Sequence, residues 1–133
     1  MFETKRIVEF GMCDSAGILY FPRLFELTHS AYEEFILRSD LLNNYFENEE
    51  IAIPLISATS DFQEPIRLHE VLNINIKVLK IGNSSFHLKT VFLDEENNAK
   101  AIVTTTHVFV DKNDFNKVSI PDEFLSLLKV HQS

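Results

Sequence analysis

From residue 71 onward, apolar and polar side chains alternate. Leu72, Ile74, Ile76 and Val78 are interleaved with Asn73, Asn75 and Lys77, the period-two signature of a strand with one buried face. Ile81-Gly82-Asn83-Ser84-Ser85 reads as a turn and Phe86–Leu93 as the returning strand. Asp94–Asn98 reads as a second turn, and Ala101–Val110, rich in Val, Ile and Thr, as a further strand. Residues 54–65 predict another strand, its ends confined by Pro54 and Pro65. Near the N-terminus, residues 4–11 (TKRIVEFG) predict a short strand ending at Gly11, and 12–17 (MCDSAG) a turn.

A different period separates these groups. Leu24, Thr28, Ala31 and Phe35 recur at steps of four, three and four, with Phe25, Tyr32 and Ile36 beside them, forming one broad apolar stripe. Arg23, Glu26, Ser30, Glu33, Glu34 and Arg38 take the other side, and Glu33-Glu34 reads as a solvated face. Pro22 suits a first helical turn, so a helix is expected over 21–38, with a looser helical segment to about 48. Pro121 opens a last short helix that sets Phe124, Leu125 and Leu128 on one side. Strand, long helix, then four strands in a row joined by short turns predict an α+β domain. In it a curved antiparallel sheet wraps one long helix. No linker or repeat divides residues 1–133, so a single domain is expected.

Composition adjusts this picture in three ways. Twelve Phe with no Trp suggest that most of the rings are core. The formal net charge of -8 disfavours nucleic acid and anionic lipid as partners. The N-terminus has no apolar run behind its charges, and no stretch reaches the roughly 18 apolar residues of a membrane helix, so a cytoplasmic protein is expected. Cys13 is the single cysteine, which rules out an intrachain disulfide. It stands beside an anion rather than a base or cation, so it reads as a packed thiol rather than a nucleophile. His29, His69, His87, His107 and His131 show no ligand spacing, so no metal is expected. His29 sits at the stripe's edge, within reach of a ligand. Packing or exposure is the simpler account of it, and of His107 in its strand.

Chemistry concentrates in the loop before the long helix. A helix start offers unpaired N–H groups that can stabilise an oxyanion, and Asp14 lies a few residues upstream. A carboxylate there could attack a carbonyl or activate water. An Asp shortly before a Gly is equally a turn residue or helix cap, and the short pattern leaves both open.

The run Val8-Glu9-Phe10-Gly11-Met12-Cys13-Asp14-Ser15-Ala16-Gly17-Ile18-Leu19-Tyr20-Phe21-Pro22-Arg23 resembles the active-site segment of the 4-hydroxybenzoyl-CoA thioesterase family. The likeness continues through Ile53–Ser57, Asp61-Phe62, Pro65-Ile66, Ser84–Phe86 and Thr106–Phe109. His29–Glu33 and Thr106–Val108 look closest to the branch acting on 1,4-dihydroxy-2-naphthoyl-CoA in quinone biosynthesis. The resemblance implies a hotdog fold, hydrolysis of an acyl- or aroyl-coenzyme A thioester without a cofactor, and Asp14 as nucleophile or general base. It implies that the backbone N–H near Phe21 polarises the thioester carbonyl and that Gly17 lets the turn approach it. It also implies a homodimer, with pairing into tetramers, whose active sites lie on the shared boundary. Tyr20, His29, Ser57 and Thr59 are candidate substrate contacts, with Ser57 and Thr59 on the strand that would face Asp14 of the other subunit. The strand turn here reads Lys80-Ile81-Gly82-Asn83 rather than the basic cluster of some members, so Lys77, Lys80 and Lys89 stand only as candidates for the coenzyme phosphates. The alternatives are a generic short- or medium-chain acyl-CoA thioesterase and a non-catalytic acyl-binding module. A dehydratase is disfavoured because no histidine sits in the Asp14 loop.

Overall fold

The computed structural model describes residues 1–132. Five strands form one antiparallel sheet: β1 (Phe2–Ile7), β3 (Leu55–Phe62), β4 (Val71–Ile81), β5 (Ser85–Leu93) and β6 (Ala99–Val108), in the order β1-β4-β5-β6-β3. Two-residue strands β2 (Ile51–Ala52) and β7 (Val110–Asp111) pair separately. Helices α1 (Pro22–Leu37) and α2 (Asp122–Val130) supply the rest of the regular structure. Register shifts at Leu55/Ser57, Val78/Lys80 and Phe92/Leu93 bend the strands as bulges do.

The alternation in β4 is realised without exception at its centre: Leu72, Ile74, Ile76 and Val78 are fully buried. On α1 the buried stripe is Leu24, Leu27, Thr28, Ala31, Tyr32, Phe35 and Ile36. Each fully buried large side chain, such as Leu24 or Phe35, contributes roughly 1.5–3 kcal/mol. Pro22 occupies the first turn, where its missing N–H leaves no gap.

Several expectations are corrected. β1 stops at Ile7: Val8 keeps the inward alternation but exchanges backbone hydrogen bonds with His69 and Glu70 instead of β4, and Phe10–Met12 coil into a 3-10 turn. The segment after α1 is not helical. Asn44 and Asn48 side chains accept the N–H groups of Phe46, Glu50 and Ile51 at 2.8–3.0 Å, competing with a helical ladder. The strands from β3 onward are not simple neighbours. β3 lies at the far edge against β6, and residues 63–70 cross the sheet end, held by Gln63 N–H on the Lys100 carbonyl at 2.9 Å. Only five of the twelve Phe are fully buried (35, 86, 92, 109 and 124); Phe10, Phe21, Phe46, Phe62 and Phe115 are exposed.

Glu34 is not simply solvated. Its carboxylate accepts from Thr4 Oγ1 at 2.8 Å and pairs with Arg6 and Arg38, each at 2.8 Å, tying β1 to α1. Hydrogen bonding from Arg38 first, then Thr4 and Arg6, outweighs partial burial and holds its pKa down at about 2. Stability from this network is therefore full above the ordinary carboxylate range and is lost as pH falls towards 2. With the side chain a quarter exposed, Glu34→Gln is expected to cost about 1 kcal/mol at pH 7. The loss should shrink to a small fraction of that at pH 2, where the carboxyl is half protonated. Urea midpoints at the two pH values check this, and equal midpoints at pH 7 would refute it.

Candidate active site

Residues 12–20 form a hairpin in which Cys13 pairs with Leu19 and Tyr20 N–H donates to the Met12 carbonyl at 2.8 Å. Asp14-Ser15-Ala16-Gly17 is its turn, closed by Gly17 N–H on the Asp14 carbonyl at 3.1 Å. Gly17 has φ +74°, the left-handed conformation that glycine adopts without strain. Asp14 Oδ1 accepts from Ala16 N–H at 2.9 Å and Ile18 N–H at 3.4 Å. The second carboxylate oxygen has no hydrogen bond among the described residues, and the side chain is exposed. Asp14 is thus a turn residue that keeps one oxygen uncommitted. The hairpin is seated by Leu19 N–H on the Ile66 carbonyl (2.8 Å) and Leu68 N–H on the Gly17 carbonyl (3.1 Å).

The hairpin feeds directly into α1. Arg23 and Leu24 N–H groups donate to the Tyr20 and Phe21 carbonyls at 2.8 and 3.1 Å, and Pro22 has no N–H. The Phe21 N–H meets no acceptor among the described residues, so it is the free donor at the helix start. Tyr20 and Phe21 are 51% and 62% exposed, their rings 5.7 Å apart. Leu19, Phe21, Phe62 and Pro65, with Gln63 and Glu64, line an open and mainly apolar depression of about 370 Å³ at this helix start.

A second cavity, of about 300 Å³, lies between α1 and the sheet. Phe25, Thr28 and Tyr32 roof it, with exposed His29 at the rim. Its floor is the cross-strand row Leu88–Thr105–Ala58, flanked by Thr90 and by His107 with its neighbour Leu55. His107 is 2% exposed. Its ring stacks between Tyr32 (4.7 Å) and Phe86 (4.9 Å), and its Nε2 meets Thr105 Oγ1 at 2.9 Å. Burial, helped by His29 and His87, pushes its pKa down to about 4, so the imidazole is neutral at pH 7. Burial likewise raises the Tyr32 hydroxyl.

His29 is the one sequence-predicted contact that lines this cavity. Ser57 and Thr59 pair with Thr106 and Thr104 and so share the sheet's other face; Leu55 and Ala58 take the cavity side. Thr90 and Thr105 are lining residues that the sequence does not single out, and Thr28 reads there only as part of the helical stripe. The available signal was a polar residue at a core position of an alternating strand: Thr90 between Leu88 and Phe92, and Thr105 between Val103 and His107. Lys77 and Lys89 are direct cross-strand partners and Lys80 pairs with His87. The Lys77–Lys89 pair sets two like charges opposite each other on the outer face.

The family model for the thioesterase-like superfamily matches residues 8–128. A 1,4-dihydroxy-2-naphthoyl-CoA hydrolase of Nostoc punctiforme is 34% identical over 133 residues, covering 98% of this chain and 88% of that protein. The hydrolase of the same name from Trichodesmium erythraeum is 34% identical, covering 92% of this chain and 91% of that one. The crystal structure of a 1,4-dihydroxy-2-naphthoyl-CoA thioesterase from Synechocystis superposes with a TM-score of 0.89 at 25% identity, over 96% and 95% of the two chains.

Proposed function

The chain belongs to the thioesterase-like superfamily, and on that premise we propose that it hydrolyses an aromatic acyl-coenzyme A thioester, 1,4-dihydroxy-2-naphthoyl-CoA foremost. The observation that carries the reading is the Asp14 hairpin: an exposed carboxylate fixed by one oxygen and free at the other, on the segment that enters α1 beside an unpaired N–H. The free oxygen attacks the thioester carbonyl or takes a proton from the attacking water, while the Phe21 N–H stabilises the developing oxyanion. The carbon–sulfur bond then breaks. With Asp14 as base, the proton taken from water passes to the departing sulfur and the acid is released directly. With Asp14 as nucleophile, the acyl group is left on its carboxylate as a mixed anhydride that water hydrolyses, supplying the thiol's proton and freeing Asp14. The 34% identity to hydrolases of that name over nearly the whole chain supports the aromatic substrate. So does the ring-lined cavity under α1. A panel of aroyl- and alkyl-CoA thioesters, followed by thiol release, tests the reading. A higher kcat/KM for palmitoyl-CoA than for the naphthoyl ester would overturn the substrate.

The same reading includes a dimer. All eight residues of β3 are exposed, and β6 pairs with only one of its edges. The other edge presents unpaired backbone groups along a strand that carries Leu55, Ile56 and Phe62, an arrangement that soluble proteins ordinarily cover. Two chains joined isologously along β3 would cover it, and such pairs could associate again. Sedimentation should give two or four times the 15.4 kDa chain mass. A fully active monomer at assay concentration would refute the shared boundary.

A further inference from the structure

The core is filled by rings wherever it can be, with Phe86, Phe92, Phe109 and Phe124 fully buried. The cavity under α1 survives because four small side chains converge there: Thr28 above, and Ala58, Thr90 and Thr105 below. The cavity opens to solvent on the side of His29, Leu55 and Ala58, which are exposed, and closes at its inner end. Hydroxyls buried at that inner end, those of Thr90 and Thr105, cost stability unless something meets them. Thr28 is already satisfied, donating to the Leu24 carbonyl at 2.8 Å. Thr90 is 1% exposed, and its hydroxyl has no partner among the described residues.

Thr105 is set by His107. The imidazole Nδ1 is buried without a partner, whereas Nε2 lies 2.9 Å from Thr105 Oγ1. An orphaned buried N–H is less tolerable than an orphaned acceptor. The ring proton therefore belongs on Nε2 and is donated to Thr105. That leaves the Thr105 hydroxyl proton to be donated in turn, towards the cavity whose floor it forms. Stacking at 22° on Tyr32 and 7° on Phe86 holds the ring plane in place.

We propose that Thr105, oriented as a donor by His107 and flanked by Thr90, recognises a ring oxygen of the acyl group. The cavity would thereby select hydroxylated aromatic acyl groups over unsubstituted ones. The inference rests on the aroyl-CoA reading and names a specificity determinant within it; His107 is a positioning residue.

Two measurements separate the two ideas. Turnover of 1,4-dihydroxy-2-naphthoyl-CoA and 2-naphthoyl-CoA gives a selectivity ratio, and calorimetric binding of the two free acids gives the same ratio without chemistry. Wild type should favour the hydroxylated member by about tenfold or more in both. Thr105→Val, which replaces the hydroxyl by a methyl of like shape, should collapse both ratios towards one, and Thr105→Ser should restore them. His107→Phe, which keeps the stack but loses the N–H, should lower them as well. Hydroxyl-selective binding that Thr105→Val abolishes, without thioester cleavage, would uphold the cavity assignment and sink the enzymatic reading. Cleavage with a ratio that Thr105→Val leaves unchanged would overturn the cavity assignment alone.

Discussion

Replacing Asp14 with Asn should lower the turnover number for thioester hydrolysis at least about 100-fold, the low end of what a positioned acid–base group supplies, while leaving the fold intact. The hairpin makes this substitution unusually clean. Asp14 serves the turn through Oδ1, which accepts the Ala16 and Ile18 N–H groups. An Asn side chain offers a carbonyl oxygen in the same place, so the turn, Gly17 and the approach to α1 are retained. What disappears is the negative charge and the second oxygen. An amide can neither take a proton from water nor attack a thioester carbon. Asp14→Ala would remove both functions together and would not distinguish them. Thermal melts of the Asn variant should fall within about 2 °C of wild type, and thiol release under saturating substrate should report the lost turnover. Near wild-type turnover in a well-folded Asn variant would remove Asp14 from the mechanism, whatever the family.

How much of this was legible beforehand depends on the range of the interaction concerned. β4 and α1 were readable because their patterns are local: alternation over Leu72–Val78, and steps of three and four from Leu24 to Phe35. The turn at Asp14–Gly17 was readable for the same reason. The position of β3 beside β6 was not, because nothing in residues 54–65 states which strand they will pair with. The crossing at 63–70 is fixed by contacts with Lys100 and with the hairpin, far away in sequence. The face that Ser57 and Thr59 take, with Thr106 and Thr104 and away from the cavity, is likewise set by register rather than by anything local. Glu34 looked solvated because its Thr4 and Arg6 partners are some thirty positions earlier. The cavity was least legible of all. Rings and small residues from α1, β3, β5 and β6 line it, and they become meaningful only once brought together.

His107 makes a second large effect testable, because a neutral imidazole buried in the core is an acid-labile element. From the folded side, burial and the neighbouring His29 and His87 oppose its protonation, and its pKa lies near 4. The other groups packed on it, Tyr32, Phe86 and Thr105, carry no charge to stabilise an imidazolium. In the unfolded chain the same ring titrates near 6.5. Between these values the unfolded state binds a proton that the folded state refuses. Stability is therefore full above about 6.5 and falls as pH drops towards 4. The interval corresponds to about 3 kcal/mol, a large part of a small domain's margin. Most of the loss should fall between pH 6.5 and 4.5, before the Glu34 network begins to titrate. Urea unfolding across pH 7.5 to 4.5, at fixed protein concentration so that any subunit association is held constant, should show the decline in wild type. His107→Phe fills the slot between Tyr32 and Phe86 with a ring that cannot be protonated, and its stability should decline much less over the same range, the remainder coming from His131, whose pKa burial also lowers. Equal acid sensitivity in the two proteins would show that the imidazole gains its proton without leaving the core.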